Sequence, residues 1–283
     1  MKLKRFAALA LAAALALSLT ACGKTGGESG SSAAPGSTPA ANDDWTTIEK
    51  SGKLKIGFTY FEPMNYMDDN GEFVGFETEF ATAVCDKLGL TPEFVEINWD
   101  AKTMELESQK IDCIWNGMTI TPELSAALAI SDPYIKNYQV VIIRSADAEK
   151  FKSTADLASG TVEAEAGSAG EGAVQDDENL AKAAYQPVTK QTDALLEVKT
   201  GKADAAVMDF VLANALVGKG DYSDLMVIPD LQLSVEEYGI GFRKGSGAAA
   251  KVNEAMAALI EDGTLGKLAE KYELSELLLA NQK

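Results

Sequence analysis

The chain has 283 residues, a formal net charge of −18 at pH 7 and no histidine. This acidic balance disfavours nucleic acid and anionic lipid as partners of the folded surface, because like charges repel. The missing histidine removes the commonest general base and metal ligand, and the sequence has no CxxC pair or GxxxxGK(S/T) loop, so we expect neither a metal nor a cofactor.

The amino terminus has the order of a secretory signal. Three basic residues lie within the first five positions, and residues 7–17 are wholly apolar. Eleven helical residues at ~1.5 Å each cannot cross a ~30 Å hydrocarbon core, so the run indicates a signal peptide rather than a membrane span. It ends in Leu19-Thr20-Ala21-Cys22, which resembles the lipobox of bacterial lipoproteins. That resemblance implies a cleaved signal peptide at residues 1–21 and a lipid on Cys22.

The segment after Cys22 predicts a flexible tether. Residues 23–42 are rich in Gly, Ser, Ala, Thr and Pro and contain no large apolar side chain. Such a segment cannot bury enough surface to offset its ordering entropy, and its length would span roughly 25 Å. We assign residues 22–44 to the lipidated cysteine and linker, which would hold a folded part, residues 45–283, at the extracellular face of the cytoplasmic membrane, as in Gram-positive bacteria. A tail without a role would have the same composition.

Short strands and helices alternate along residues 53–144. Strand-like runs are predicted at 53–58, 91–97, 111–115 and 137–144, and helices at 75–88 and 101–108. A further helix begins after Thr121, an N-cap residue followed by Pro122 at the first helical position. Alternation of this kind favours an α/β fold with parallel strands.

The alternation then repeats in the rest of the chain. Further strands are predicted at 161–165, 185–188, 203–208 and 237–243, and further helices after the Gly-rich turn and at 192–200, 209–217, 248–261 and 264–272. We predict two α/β lobes, one from about residues 45–142 and 239–283 and the other from about 143–238. The runs at 137–144 and 237–243 would form a two-strand hinge, which permits closure on a ligand.

Residues that follow the predicted strands form the candidate site, because ligands of open α/β sheets bind beyond the carboxyl ends of the strands. Aromatic, amide, hydroxyl and carboxylate side chains and one Gly-rich turn share these positions. They are Tyr60, Phe61, Glu62, Trp99, Asn116, Gly117, Met118, Thr119, Ser168, Ala169 and Asp209. This inventory suits binding a small polar molecule better than cleaving one, so we predict no catalytic residue.

Five stretches, in chain order, follow a known pattern. Residues 65–77, NYMDDNGEFVGFE, are similar to Y-x-D-x-N-G-x-x-x-G-F-D/E, and residues 111–123, IDCIWNGMTITPE, to I-D-x-x-x-x-G-M-T-I-T-P-E. Residues 131–134, 166–171 and 237–245 are similar to F-S-x-P-Y (without its Phe), A-G-S-T-G-E and E-Y-G-I-A-x-R-K-G. The series resembles the amino-acid-type solute-binding proteins of bacterial ABC importers (extracellular family 3) and implies the type II periplasmic-binding-protein-like fold.

The resemblance also implies a role for each matched residue. Thr119 would help to hold the ligand α-ammonium and offer its backbone N–H to the carboxylate, Gly117 would offer a carbonyl, and Asp209 would pair with the ammonium. Ser168 and Ala169 would offer backbone N–H groups at the start of a helix. Trp99 and either Tyr60 or Phe61 would pack against the ligand side chain.

Two positions depart from the family pattern. The family usually has Arg after T-P-E, forked onto the ligand α-carboxylate, and here the residue is Leu124. The family has an Asp after the first strand, and this chain has Thr59 or a gap at that position. The carboxylate of Glu62 or Glu165 would compensate for the missing Asp. Together with Asp209, these carboxylates favour a cation over a plain zwitterion. The ligand stays open between an amino acid held by N–H groups and a lysine, and an amine poor in carboxylate.

Some of these residues also have ordinary structural interpretations. Met118 suits a core, Trp99 a helix staple, and Asp209 a helix N-cap. Cys85 and Cys113 each lie in an apolar stretch and predict buried thiols, with a disulfide as the alternative.

The sequence therefore predicts a monomeric substrate-binding lipoprotein that captures a small amine-bearing solute between two lobes and delivers it to the permease subunits of an ABC importer. An enzyme on the same fold, dehydratase-like or cell-wall lytic, is one alternative, and it would need a carboxylate pair such as Glu62 and Asp209. A ligand-sensing ectodomain is the other, and it would need a transmembrane helix and a signalling domain.

Overall fold

The computed structural model describes residues 44–282, and the predicted signal peptide, Cys22 and most of the predicted linker lie outside this range. The strands in chain order are β1 (Lys53–Phe58), β2 (Tyr66–Met67), β3 (Phe73–Val74), β4 (Thr91–Glu96), β5 (Cys113–Ile114), β6 (Ala129–Ile130), β7 (Ile135–Arg144), β8 (Thr161–Glu165), β9 (Ala184–Val188), β10 (Ala205–Asp209), β11 (Leu225–Tyr238) and β12 (Gly241–Phe242). The helices are α1 (Trp45–Ser51), α2 (Phe76–Leu88), α3 (Lys102–Glu107), α4 (Pro122–Ala127), α5 (Ala169–Asp176), α6 (Gln191–Thr200), α7 (Phe210–Leu216), α8 (Ala248–Glu261) and α9 (Thr264–Lys271).

The first sheet has five strands within residues 44–282, in the spatial order β4-β1-β5-β12-β6. β1 is parallel to β4 and β5, with Ile56 opposite both Phe94 and Cys113. β12 lies antiparallel between β5 and β6. Leu54 and Ile56 are fully buried, as expected for a central parallel strand that is covered on both faces. The carboxyl ends of β1, β4 and β5 therefore meet at one edge of this sheet.

The second sheet also has five strands in the described part of the chain, in the order β11-β7-β10-β8-β9. β8 is parallel to β9 and β10, and β10 is antiparallel to β7. β11 is an edge strand antiparallel to β7, and its register shifts between Val227 and Gln232 and again between Gln232 and Val235. The carboxyl ends of β8 and β10 thus lie at a common edge of the second sheet.

Helices cover both sheets with apolar faces. α2 buries Phe76, Phe80 and Val84, whose spacing of four residues places them on one helix face. α2 packs against β4 and α8, and α8 packs against β12, whereas α5 and α6 pack against β8 and β10. Across residues 44–282, none of the helices has the length and apolar character that a membrane crossing requires.

Two adjacent segments connect the sheets. The chain leaves the first sheet after Ile130 and pairs in the second from Ile135, and it returns from Tyr238 to Gly241. The segments lie side by side, because the Tyr134 N–H donates to the Tyr238 carbonyl at 3.1 Å. The result is two α/β lobes joined by a two-strand hinge. The lobe boundaries predicted near residues 142 and 239 remain a prediction.

Several predicted bounds agree with the structure. The strands Lys53–Phe58 and Thr161–Glu165 and the helix Ala248–Glu261 have the predicted ends. Cys85 and Cys113 are both buried, as the sequence predicts, and both are free thiols in the structure.

The last strand of the second sheet differs from the prediction. The sequence predicts a β-like run at 237–243, whereas the structure has a 14-residue strand, Leu225–Tyr238, followed by the short strand Gly241–Phe242. Pro229 and Asp230 conceal the long strand in the sequence, because this residue pair normally marks a turn. Asp230 has φ 57° and lies between Val227 and Gln232, where the pairing with β7 changes register. An irregularity of this kind is tolerated at a sheet edge, where a proline need not interrupt a ladder.

Gly75 provides a test of the packing at the start of α2. Its φ is 135°, and an added Cβ would lie 2.1 Å from the Met64 carbonyl oxygen. We expect Gly75→Ala to lower the free energy of unfolding by about 2 kcal/mol or more, because the backbone conformation and the clash both oppose a side chain. Denaturant unfolding checks this. Gly172→Ala in α5 is the matched control, because its Cβ would meet nothing within 4 Å and should change stability by no more than about 1 kcal/mol. Equal stability of Gly75→Ala and the parent protein would contradict the prediction.

Candidate functional site

A cavity of about 1020 Å³ lies where strand ends of both sheets meet. Its walls include residues that follow β1, β4 and β5 and residues at the ends of β8 and β10. Among them are Thr59, Tyr60, Phe61, Trp99, Asn116, Gly117, Met118, Thr119, Glu165, Gly167, Ser168, Ala169 and Asp209. This is the position at which open α/β sheets bind ligands.

The candidate residues predicted from the sequence line this cavity, with the exception of Glu62. Glu62 lies in a tight loop that two backbone hydrogen bonds close, from Phe61 N to Asn65 O and from Asn65 N to Phe61 O, each 2.8 Å long. Glu62 is not among the lining residues, and its suggested compensation for the missing Asp stays a prediction. Glu165, the other suggestion, does line the cavity. Contact between the lining residues and a ligand stays a prediction.

Gly117 and its neighbours are packed closely. Gly117 has φ 54°, and an added Cβ would lie 2.4 Å from the Phe61 ring. A side chain at position 117 would therefore displace Phe61 from the cavity wall. The next residue, Met118, is fully buried in the core cluster that contains Leu128, which agrees with the core interpretation of Met118.

The amide of Asn116 ties the ends of β1 and β5 together. The Thr59 hydroxyl donates to Asn116 Oδ1 at 2.6 Å, and Asn116 Nδ2 donates to the Thr59 carbonyl at 2.9 Å. Both residues are buried. Asn116 thus has a positioning role that the sequence did not indicate, because its amide is already engaged by the strand end beside it.

A buried carboxyl group, Glu77 on α2, holds the Gly117 backbone. The Gly117 N–H donates to both Glu77 carboxyl oxygens, at 2.9 and 3.1 Å. Asn65 Nδ2 donates to Glu77 at 2.8 Å, and the Tyr134 hydroxyl donates as well. Burial raises the pKa of Glu77 to about 7, and the donated hydrogen bonds oppose that shift. Glu77 belongs to the G-F-E pattern in the sequence, but its contact across 40 positions could not be predicted from that pattern.

Asp209 lies at the end of β10 within a set of polar donors. Its Oδ1 accepts hydrogen bonds from Asn137 Nδ2 at 2.6 Å, from Gln139 Nε2 at 2.8 Å and from the Tyr238 hydroxyl at 2.8 Å. The side chain is 6% exposed, and burial raises the pKa of its carboxyl group. Asn137 and Gln139 come from β7 and Tyr238 from β11, so both hinge strands contact this one carboxyl group.

Glu236 is a second carboxyl group on the same amides. Its Oε1 accepts from Asn137 Nδ2 at 2.5 Å and from Gln139 Nε2 at 2.7 Å. Because each amide nitrogen contacts both Asp209 and Glu236, the two carboxyl groups face each other as a coupled pair. Burial and then the neighbouring Asp209 raise the pKa of Glu236 to about 8. The sequence prediction missed Glu236, since it did not include the strand that carries it.

Glu165 is the third buried carboxyl group on the cavity wall. Only 5% of it is exposed, and burial followed by the charge of Asp209 raises its pKa to about 8. Gln191 on α6 donates to Asp209 Oδ2 and lowers the pKa of Glu165 through a side-chain hydrogen bond. Three carboxyl groups therefore converge, of which the sequence had indicated Asp209 and Glu165 and missed Glu236.

Further acidic side chains and a single cation complete the walls. The additional acidic residues in the lining are Asp100, Glu123, Asp176, Asp177 and Glu178. Among the described residues, Lys102 is the one basic side chain in the lining, and Leu124 lines it where the family pattern has Arg. At the start of α5, the Ser168 hydroxyl caps the helix by accepting the Glu171 N–H at 3.2 Å. The first N–H groups of this helix have no intrahelical partner and suit an anionic group.

Sequence comparison matches the bacterial extracellular solute-binding proteins, family 3, over residues 54–275. The chain belongs to this family. The arginine-binding extracellular protein ArtP of Bacillus subtilis (strain 168) is 27% identical over 278 residues, which cover 97% of this chain and all of ArtP. The family prediction is thereby confirmed, and the family consists of solute-binding proteins rather than enzymes.

Solved structures agree with this assignment. Holo ArgBP from T. maritima is 33% identical, with a TM-score of 0.70 over 80% of this chain and 98% of that chain. The ancestral amino-acid-binding protein AncCDT-1, described as a precursor of cyclohexadienyl dehydratase, is 32% identical, with a TM-score of 0.73 over 80% of this chain and 98% of that chain. The solute-binding protein thus has the type II periplasmic-binding-protein fold that the sequence predicted.

The buried carboxyl groups give this solute-binding protein a specific pH dependence. Glu165 and Glu236 have pKa values of about 8 against an ordinary value of 4.5, so the folded protein binds more protons than the unfolded chain between these values. Their contribution to the free energy of unfolding is therefore complete below pH 4.5 and is lost as the pH rises through about 8. We expect the unfolding temperature of the ligand-free protein to fall across this range in a calorimetric series.

Glu236→Gln should make that fall shallower, because it removes one raised pKa and keeps the shape of the side chain. Glu123→Gln is the control, since Glu123 is exposed on the rim of the same cavity, and it should leave the slope unchanged. The same slope in Glu236→Gln and the parent protein would show that the pair does not hold a proton.

Proposed function

We propose that the protein is the substrate-binding lipoprotein of an ABC importer and that it binds a cationic amino acid or a related amine in the cavity between its lobes. The observation that carries this proposal is the convergence of Glu165, Asp209 and Glu236, all buried or nearly so, in a cavity where Lys102 is the one basic side chain among the described lining residues. Buried carboxylates require a positive partner or a proton, because an isolated charge in a protein interior is costly. A ligand cation would supply that partner.

The ligand groups would be distributed over both lobes. An ammonium group would pair with Asp209 and approach the Gly117 carbonyl and the Thr119 hydroxyl. The ligand side chain would pack against Phe61 and Trp99, whose aromatic faces also favour a cation. These positions all line the cavity. ArtP, an arginine-binding protein by name, supports the amino acid as the first candidate.

The enzymatic alternative invoked a carboxylate pair of Glu62 with Asp209, and Glu62 is not among the residues that line the cavity. The carboxyl group that does face Asp209 is Glu236, and the Asn137 and Gln139 amides engage both of them. We propose that the protein binds its solute without transforming it and works as a monomer with the permease.

Asp209→Asn tests the role of the ammonium partner. A thermal-shift panel of arginine, lysine, histidine and cystine, together with agmatine and cadaverine, first identifies the ligand. We expect Asp209→Asn to weaken its binding more than about 30-fold by calorimetry, because the ligand cation would lose a buried charged partner. The unfolding temperature should change little, since Asn keeps the shape of the side chain. Asp176→Asn, on the exposed rim, should leave the affinity as it is. Unchanged affinity in Asp209→Asn would exclude the ammonium-pairing role.

Cys22 tests the proposed anchor. We expect the full chain, expressed in a Gram-positive host, to incorporate labelled fatty acid and to fractionate with membranes. Cys22→Ala should abolish the label and shift the protein to the medium, because no thiol remains for the lipid. Cys85→Ala is the control, since that cysteine is buried in the folded part and its loss should not affect labelling. Persistent labelling of Cys22→Ala would contradict the anchor.

A further inference from the structure

Lys102 extends from one lobe to the other at the cavity wall. Lys102 is the first residue of α3, in the lobe that contains the first sheet. Its Nζ donates a 2.7 Å hydrogen bond to the carbonyl of Gly167, which belongs to the other lobe. The same Nζ donates to the Trp99 carbonyl at 3.3 Å and lies 4.8 Å from the centroid of the Trp99 ring. The residue is 7% exposed, so its ammonium group is fixed in position rather than mobile in solvent.

The ammonium group of Lys102 has no carboxylate as a direct partner. Among the described residues, no Asp or Glu oxygen lies within 4.0 Å of its Nζ. Burial lowers the pKa of Lys102, and the more distant charges of four carboxylates oppose that shift: Glu165, Asp100, Glu123 and Glu171. An ammonium group has three donors, and the two carbonyls use two of them. A buried cation therefore has one donor left and no anion in contact.

The amino-terminal end of α5 lies next to this cation. Gly167, which accepts the Lys102 hydrogen bond, directly precedes Ser168 and Ala169. Gly167 φ is 70°, and an added Cβ would lie 2.9 Å from Asp100, so the turn is packed against the opposite lobe. Glu171 is engaged elsewhere, because it accepts the Gly167 N–H at 2.7 Å and the Tyr185 hydroxyl at 3.0 Å. The first N–H groups of α5 and a cation without an anionic partner thus flank the same part of the cavity.

We propose that Lys102 binds the carboxylate of the ligand together with the start of α5. The proposal rests on the proposed function, since it requires a ligand that carries a carboxylate. This role of Lys102 explains why position 124 can be Leu. If Lys102 binds the ligand carboxylate, the site does not need the Arg that the family usually has there. A cationic amino acid then has a carboxylate for Lys102 and a positive group for Asp209 and Glu236, whereas a simple amine lacks the carboxylate.

A purely mechanical role for Lys102 predicts a different result. If the Lys102 hydrogen bond only holds the lobes together, its loss should weaken every ligand to the same extent. Lys190 provides the matched control for such a role. Its Nζ lies 3.1 Å from Glu96 of the other lobe and 5.5 Å from the centroid of the Tyr60 ring, and Lys190 does not line the cavity.

The experiment compares ligands with and without a carboxylate. Calorimetry on the full chain measures arginine against agmatine, and lysine against cadaverine, for the parent protein, Lys102→Met and Lys190→Met. We expect Lys102→Met to weaken the amino acid by about 10-fold or more and to leave the amine unchanged or tighter. Lys190→Met should affect both ligands of a pair equally. Adding Leu124→Arg to Lys102→Met should restore the preference for the amino acid.

Each other outcome contradicts the proposal in a distinct way. An equal loss for both ligands in Lys102→Met would assign Lys102 to lobe contact alone. A parent protein that binds the amines and not the amino acids would overturn the carboxylate role and leave the proposed function intact. A parent protein that binds neither would overturn both. Lys102→Gln, which keeps a donor but removes the charge, provides the same comparison if Lys102→Met does not fold.

Discussion

Two carboxyl groups that share the same amides are the constraint on which the site depends. Asn137 Nδ2 and Gln139 Nε2 each contact both Asp209 and Glu236, at distances of 2.5 to 2.8 Å. In a low-dielectric interior, two such groups cannot both be ionised without a positive neighbour, so one of them holds a proton or a cation lies beside them. The amides fix the distance between the carboxyl groups, and the pair cannot relieve its repulsion by moving apart.

This constraint also explains why the strands of the second lobe are arranged as they are. Asn137 and Gln139 alternate on β7, so both side chains point to the same face of the sheet. β10 and β11 flank β7 and contribute Asp209 and Glu236 from either side. The bulged edge strand therefore contributes to the candidate site and is not a peripheral element, because its register determines where Glu236 lies.

The sequence predicted the part of the site that depends on strand ends. Asp209 and Thr119 follow strands whose apolar pattern is clear, so each is expected at the carboxyl edge of its own sheet. Glu236 escaped prediction because Pro229 and Asp230 mimic a turn within its strand. Lys102 lies in a predicted helix, but its contact with Gly167 is made across the two lobes. A local sequence pattern does not show how far apart the lobes are, so this contact could not be predicted. Long-range contacts of this kind limit prediction from one sequence.

The two hinge segments end in tyrosines that reach different carboxyl groups. The Tyr134 hydroxyl donates to Glu77 in one lobe, and the Tyr238 hydroxyl donates to Asp209 in the other, while their backbones pair with each other. The hinge therefore holds the cavity wall in both lobes, because Glu77 fixes the Gly117 backbone in one lobe and Asp209 lines the cavity in the other.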